Sequence, residues 1–160
     1  MSEIINIACV DLDGVLYVYK KHSGVTDFSR SPNPEALKLL IMLKNEGWKI
    51  TIYSSRLNGT WDTPYEEIRL KVIDWLEKHS VPYDDIARPE EGKRFATVYI
   101  DDRSVWFPTN KINEGTAEEI YDKIKEVSSG YDPHDTTLVM KKMGMISKTS
   151  EFLTKVDNDD

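Results

Sequence analysis

Two aspartates near the N-terminus have the spacing of a small catalytic group. Asp11 and Asp13 follow a short apolar run at residues 4–10, and Gly14 comes directly after them. Side chains two positions apart lie on the same face of an extended strand, so the two carboxylates are held together where the strand ends. Such a pair suits magnesium binding, nucleophilic attack or acid–base catalysis.

Polar residues also follow two later apolar segments, at residues 48–53 and 97–100. The residues at these two ends are Ser54, Ser55, Arg56, Asp101 and Asp102. In open α/β sheets, ligands bind in the crevice beyond the carboxyl ends of the strands. Three separate regions of the sequence therefore converge on one predicted site.

The segments that must position this site alternate between strand and helix. Asn33 before Pro34 predicts a helix start, Gly47 predicts its end, and Thr63 with Glu66 has the spacing of a capping box. The predicted strands cover residues 4–10, 48–53, 83–87 and 97–100, and the predicted helices cover about 34–46, 64–79 and 116–127. This alternation predicts a Rossmann-like three-layer α/β/α fold with a mostly parallel central sheet.

Length and composition favour one globular domain. The chain has 160 residues, of which 39% are hydrophobic and 31% are charged. We assign residues 1–128 to a catalytic domain and residues 129–160 to a C-terminal extension with a short helix and a frayed acidic end. The helix, at 138–146, is rich in methionine, so we expect this extension to provide the contact of a possible homodimer.

Charge and hydropathy restrict the partners. The net charge of −7 argues against nonspecific nucleic-acid binding through bulk charge. No stretch approaches the roughly 20 apolar residues of a membrane span, and the N-terminus lacks the basic-then-apolar layout of a signal peptide. We therefore expect a cytoplasmic protein with no membrane contact.

The order of the polar residues resembles that of the haloacid dehalogenase (HAD) superfamily, and especially its small capless phosphatases. Members carry Asp-x-Asp after the first strand, Ser or Thr after the second, a later Lys, and acidic residues after a further strand. The matching residues here are Asp11, Asp13, Ser54, Lys93, Asp101 and Asp102. The resemblance covers residues 4–127 and implies a HAD-like domain without a full cap, because no segment is long enough to form one.

The resemblance implies a Mg²⁺-dependent phosphomonoester hydrolase that works through an aspartyl-phosphate intermediate. Asp11 is the expected nucleophile and Asp13 the expected acid–base residue. Ser54 is expected to hydrogen-bond a phosphoryl oxygen, and Lys93 to compensate negative charge. The other expected phosphate-binding groups are the backbone amides around Leu12 and Gly14, together with Ser55 and Arg56.

The resemblance implies that Mg²⁺ is bound by the carboxylate of Asp11, the backbone carbonyl of Asp13, and the carboxylate of Asp101 or Asp102. The sequence leaves the choice between Asp101 and Asp102 open. It also leaves open whether the phosphoryl group passes to water or to another acceptor.

The substrate class also stays open. A phosphorylated small molecule, such as a nucleotide or sugar phosphate, and a phosphorylated polynucleotide end both fit an open site. A nucleotidase or a polynucleotide 3′-phosphatase is therefore an alternative, and Ser54-x-Arg56 resembles the Ser-x-Arg of phage polynucleotide phosphatases.

The alternative from another class is a noncatalytic phosphate- and Mg²⁺-binding module, such as a receiver-like regulatory domain. A receiver carries a lone phosphoacceptor Asp after a middle strand. Here the middle strand ends in Ser54 and Ser55, and the second acidic pair comes late. This order favours the hydrolase.

Overall fold

The structure, a computed structural model, describes residues 5–18, 24–106 and 117–129. Strands and helices alternate along these residues. The elements are β1 (Ile7–Asp11), α1 (Pro34–Asn45), β2 (Lys49–Tyr53), α2 (Tyr65–Lys78), β3 (Asp85–Ile86), β4 (Val98–Ile100) and α3 (Ala117–Ser129). Short 3₁₀ turns at Ser55–Leu57 and Pro89–Glu91 follow β2 and β3.

The four strands form one parallel sheet in the order β3-β2-β1-β4. This sheet with three helices is a small α/β fold of the Rossmann-like type, which confirms the predicted fold class. In the register of the two central strands, Asp11 lies opposite Tyr53. Since β1 has neighbours on both sides, its carboxyl end lies between the ends of β2 and β4.

The core lies on one face of the sheet. Ala8 and Val10 of β1 alternate with Cys9, and they share a face with Ile50 and Ile52 of β2. Helical residues that complete this core include Leu40, Ile68, Val72, Trp75 and Leu76. Asp11 and Tyr53 extend from the opposite face, so burial of the first face fixes where the strand-end carboxylate of Asp11 points.

The first predicted helix start is confirmed, and the second is wrong in its cap. The Asn33 side chain accepts a hydrogen bond from the Glu35 amide at 3.1 Å, as an N-cap does. Helix α2 begins one residue later than a Thr63 cap requires. Pro64 occupies the N-cap, where its carbonyl accepts the amide of Ile68, and no side chain caps the helix.

Several predictions concern residues outside the described ranges. They are the helix at 138–146 and the homodimer contact in the extension. The division into domains at residue 128 also stays a prediction. Within the described residues, none of the helices combines the length and the apolar character that crossing a membrane requires.

Candidate active site

Three aspartates meet at the carboxyl edge of the sheet. Asp11 ends β1, and Asp101 and Asp102 directly follow β4, which is hydrogen-bonded to β1. One carboxylate oxygen of each residue lies within 4.8 Å of the others. The structure therefore brings together three of the four predicted acidic residues, as the strand-end pattern indicated. We call these three residues the aspartate cluster.

The pKa of Asp11 shows how unfavourable this cluster is for negative charge. Burial is the main cause that raises the pKa of Asp11 from its ordinary value of 3.8 to about 8, and the Asp101 carboxylate adds to it. Asp13 and Asp102 contribute smaller increases, while the hydrogen bond from the Leu12 amide, at 2.7 Å, lowers the pKa. Asp11 needs a proton or a cation beside it at neutral pH.

The donor set of the cluster fits Mg²⁺. This ion prefers oxygen ligands at 2.0–2.1 Å in an octahedron, so ligands on opposite sides lie roughly 4 Å apart. Three carboxylate oxygens within 4.8 Å of one another come close to that spacing. Both Asp101 and Asp102 offer an oxygen, so the structure supports either one as a ligand.

Tyr53 fixes one member of the cluster, a role that the sequence did not reveal. Its hydroxyl donates to Oδ2 of Asp101, and the Arg103 amide donates to Oδ1 at 2.7 Å. Burial, followed by the bond to Asp101, raises the pKa of Tyr53. Tyr53 therefore stays a neutral hydrogen-bond donor that orients the Asp101 carboxylate.

Gly14 allows Asp102, another member of the aspartate cluster, to approach the loop that follows β1. A Cβ at this position would lie 2.2 Å from Oδ2 of Asp102, and the φ angle of Gly14 is +87°. Both features require glycine, because a side chain would collide with the carboxylate and strain the backbone. Gly14 thus brings the loop after β1 against Asp102.

The two backbone amides that we predicted for phosphate binding are engaged within the protein. The Leu12 amide donates to Asp11, and the Gly14 amide donates to the Tyr17 carbonyl at 2.9 Å. A phosphate could use them only if these hydrogen bonds were replaced. Their role stays a prediction.

Asp13 belongs to a different arrangement from the cluster. Arg56 donates to both of its oxygens, from Nε to Oδ2 at 2.8 Å and from Nη2 to Oδ1 at 2.6 Å. The Ser54 hydroxyl lies 3.3 Å from Oδ2, and its oxygen accepts the Arg56 amide at 3.1 Å. The Asp13 side chain is thus held beside the aspartate cluster without joining it.

Arg56, predicted as a phosphate ligand, is instead engaged by protein groups. Its side chain is only 7% exposed. Nη1 donates to the carbonyls of Val25 at 3.1 Å and Asp27 at 2.8 Å, with Gly24 more distant at 3.4 Å. Cζ lies 5.1 Å from the centroid of the Tyr17 ring and 4.7 Å from that of Phe28. Phosphate binding by this guanidinium stays a prediction.

The remaining predicted residues are more exposed. Nζ of Lys93 lies 5.0 Å from the centroid of the Tyr99 ring, and that ring meets Tyr53 edge-on. Lys93 therefore reaches the aromatic pair next to Asp101, and its charge-compensating role stays a prediction. Ser55 is exposed, and its carbonyl accepts the indole N–H of Trp61 at 2.9 Å.

No family model matches the sequence, and the search of curated proteins finds no significant match. Among solved structures, a target protein from Vibrio cholerae is 26% identical over 76% of this chain and 98% of its own, with a TM-score of 0.44. A chain in the Pnkp1/Rnl/Hen1 RNA repair complex is 24% identical over 61% of this chain, with a TM-score of 0.45. The match covers 36% of that chain's length. With such TM-scores, neither likeness bears on function.

Proposed function

We propose that this protein is a Mg²⁺-dependent phosphomonoester hydrolase with Asp11 as its nucleophile. One observation carries the proposal: the four strand-end aspartates divide into a cluster of three and a separately held fourth. The cluster of Asp11, Asp101 and Asp102 has the donor set of a divalent cation site. Asp13 is bound by Arg56 and Ser54 instead and lies outside the cluster, which leaves its carboxyl group available for proton transfer.

The first half-reaction transfers the phosphoryl group to the protein. An oxygen of Asp11 attacks phosphorus, a new O–P bond forms, and the P–O bond to the leaving group breaks. Asp13, entering as the carboxylic acid, gives its proton to the departing alkoxide. A bound Mg²⁺ supplies charge neutralisation, which lets the anionic carboxylate approach the anionic phosphate.

The second half-reaction restores the protein. Asp13, now a carboxylate, takes a proton from a water molecule as that water attacks the phosphorus of the aspartyl phosphate. The bond between phosphorus and Asp11 breaks, inorganic phosphate leaves, and both aspartates return to their starting states. The two steps need one proton carrier, and the position of the Asp13 carboxyl group beside the cluster supports this role.

Phosphate release tests this proposal. We would assay nucleotides, sugar phosphates and an oligonucleotide with a 3′-phosphate, each with Mg²⁺ and with EDTA. The expected result is Mg²⁺-dependent release that Asp11→Asn abolishes. Asp74→Asn, which changes an exposed aspartate of α2, is the matched control and should retain full activity.

Each outcome has a clear meaning. Release that is lost in EDTA and in Asp11→Asn supports the hydrolase, and the preferred substrate identifies the class. Absence of release from every substrate by the wild-type protein would reject the hydrolase as proposed and favour the noncatalytic module. Unchanged release by Asp11→Asn would reject the covalent mechanism.

A further inference from the structure

We infer that Arg56 is a positioning residue that fixes the orientation of the Asp13 carboxyl group for proton transfer, rather than a ligand of the substrate phosphate. This inference rests on the proposed hydrolase function. It adds a residue whose effect depends on the leaving group, which is the alcohol that departs with the transferred proton.

The geometry of the ion pair sets that orientation. Arg56 contacts both Asp13 oxygens through two different nitrogens, at 2.8 and 2.6 Å. A guanidinium is planar, so two parallel hydrogen bonds hold the carboxyl group in its plane. A single point charge would attract the carboxylate without fixing this rotation.

Arg56 is itself prevented from turning towards a substrate. The Tyr17 and Phe28 rings pack against the guanidinium, with Cζ 5.1 and 4.7 Å from their centroids. Its third nitrogen, Nη1, is hydrogen-bonded to the carbonyls of Val25 and Asp27. Moving the guanidinium to a phosphate would break these contacts and leave carbonyl groups without their donors.

The hydrogen bonds also distinguish the two oxygens of Asp13. Within the part of the chain that the structure describes, Oδ2 accepts from Arg56 and from Ser54, whereas Oδ1 accepts from Arg56 alone. A carboxyl oxygen has two lone pairs, so Oδ1 retains one that can carry a proton. The arrangement therefore assigns Oδ1 as the oxygen that gives and takes the proton.

Leaving groups of different basicity separate this positioning role from two others that Arg56 could have, namely binding the substrate phosphate and stabilising the fold. An alkyl phosphate needs its leaving alkoxide protonated, whereas p-nitrophenyl phosphate releases a stable phenolate that does not. We would measure kcat and KM for both substrates with wild type, Arg56→Lys, Asp13→Asn and the double variant. Arg69→Lys is the matched control, because Arg69 lies on α2 in a longer ion pair with Glu66, at 3.6 Å.

Loss of positioning predicts a selective fall in kcat. General acid–base groups contribute about 100- to 10,000-fold, so Arg56→Lys should lose about tenfold or more in kcat on the alkyl phosphate and far less on p-nitrophenyl phosphate. KM should change little. The double variant should be no slower on the alkyl phosphate than Asp13→Asn, since both changes remove the same function.

Three other results would overturn the inference. A rise in KM of equal size for both substrates would make Arg56 a phosphate ligand, and an equal fall in kcat with a lowered Tm would make it merely structural. Absence of activity in wild type would remove the proposed function and the inference with it. Should Arg56→Lys fail to fold, Phe28→Leu loosens the guanidinium without removing it, and the same selectivity is expected or refuted there.

Discussion

The two halves of the site treat negative charge in opposite ways. On one side, the Asp13 carboxylate has a guanidinium on both of its oxygens and a hydroxyl beside it. On the other side, Asp11 lies among the carboxylates of Asp101 and Asp102, and burial and these neighbours raise its pKa to about 8. Asp13 receives its compensating charge from the chain, whereas the aspartate cluster needs a charge from outside.

This difference indicates that the two halves of the site have different roles. An ion pair made by the fold holds one carboxyl group in place whether or not a metal is present. The carboxylates of a cluster repel one another until a cation binds. Relief of this repulsion contributes to the affinity of the site for the cation. The expected consequence is that changes on the Arg56 side affect stability and proton transfer, while changes in the cluster affect Mg²⁺ binding.

The first expected effect is on the stability of the metal-free protein. Asp13→Asn leaves the buried guanidinium of Arg56 without its counterion, which should lower the free energy of unfolding by about 3 kcal/mol. Asp101→Asn removes a repulsive charge from the cluster and should cost less than about 1 kcal/mol in EDTA. Urea denaturation of both variants measures this difference.

Calorimetric titration with Mg²⁺ compares the metal affinities of the same two variants. Asp101→Asn should lose most of its Mg²⁺ affinity, and Asp13→Asn, which keeps its backbone carbonyl, should retain it. Equal losses of Mg²⁺ affinity in the two variants would show that the division between the two halves is wrong.

Gly14→Ala, in the loop after β1, should lower both the stability of the protein and its Mg²⁺ affinity. Alanine at a positive φ costs about 1 to 2 kcal/mol, and the collision with Asp102 adds to it, so we expect a total of about 2 to 5 kcal/mol. Gly47 is the matched control, because its φ is +81° and a Cβ there meets nothing within 4 Å. Gly47→Ala should lower the free energy of unfolding by the backbone contribution alone and leave Mg²⁺ affinity unchanged. Gly14→Ala should lower the Mg²⁺ affinity.

Tyr53→Phe should weaken the cluster without changing its charge. The hydroxyl that orients Asp101 is lost, and loss of such a partner of a metal ligand typically costs 10- to 100-fold in affinity, so a fall of about tenfold in Mg²⁺ affinity is expected. Tyr121→Phe, on the exposed side of α3, provides the control. Equal Mg²⁺ affinity of wild type and Tyr53→Phe would mean that Asp101 needs no orienting group.

The stability of the protein without metal should also depend on pH. Since the pKa of Asp11 is 3.8 when unperturbed and about 8 in the fold, the folded state retains a proton that the unfolded chain has lost between these values. This contribution to stability is complete below pH 3.8 and disappears as the pH rises through about 8, with a slope of up to about 1.4 kcal/mol per pH unit. Urea denaturation in EDTA at several pH values measures the slope.

Mg²⁺ should flatten this pH dependence, because the bound cation favours the ionised carboxylate. Asp11→Asn should remove the contribution altogether, since an amide does not titrate in this range. An identical slope in wild type and Asp11→Asn would assign the pH dependence to other groups.

The cluster could be predicted from the sequence because it follows from one rule. Asp11 ends an apolar strand, Asp101 follows another, and the carboxyl ends of adjacent parallel strands meet at one edge. Gly14 was predicted for its amide, but its contact with Asp102 depends on the exact path of the loop. That path is set by tertiary packing, which no local pattern encodes.

The partners of Arg56 and Tyr53 could not be predicted for a related reason. Arg56 is bound by carbonyls of Val25 and Asp27, in a segment that has no periodic pattern. In the sequence, Tyr53 is only one of the β-forming residues of its strand. Its hydroxyl reaches Asp101 because β2 pairs with β1 and β1 pairs with β4. Long-range side-chain contacts of this kind require the assembled sheet.

The covalent step at Asp11 is the central claim, and acid-quenched mass spectrometry tests it most directly. Wild-type protein turning over a phosphomonoester with Mg²⁺ would be quenched, digested and compared with Asp11→Asn treated in the same way. We predict one added phosphoryl group on the wild-type peptide that contains Asp11 and none on the variant peptide. Sustained phosphate release by Asp11→Asn, or a phosphoryl group on a different residue of the wild type, would contradict the account.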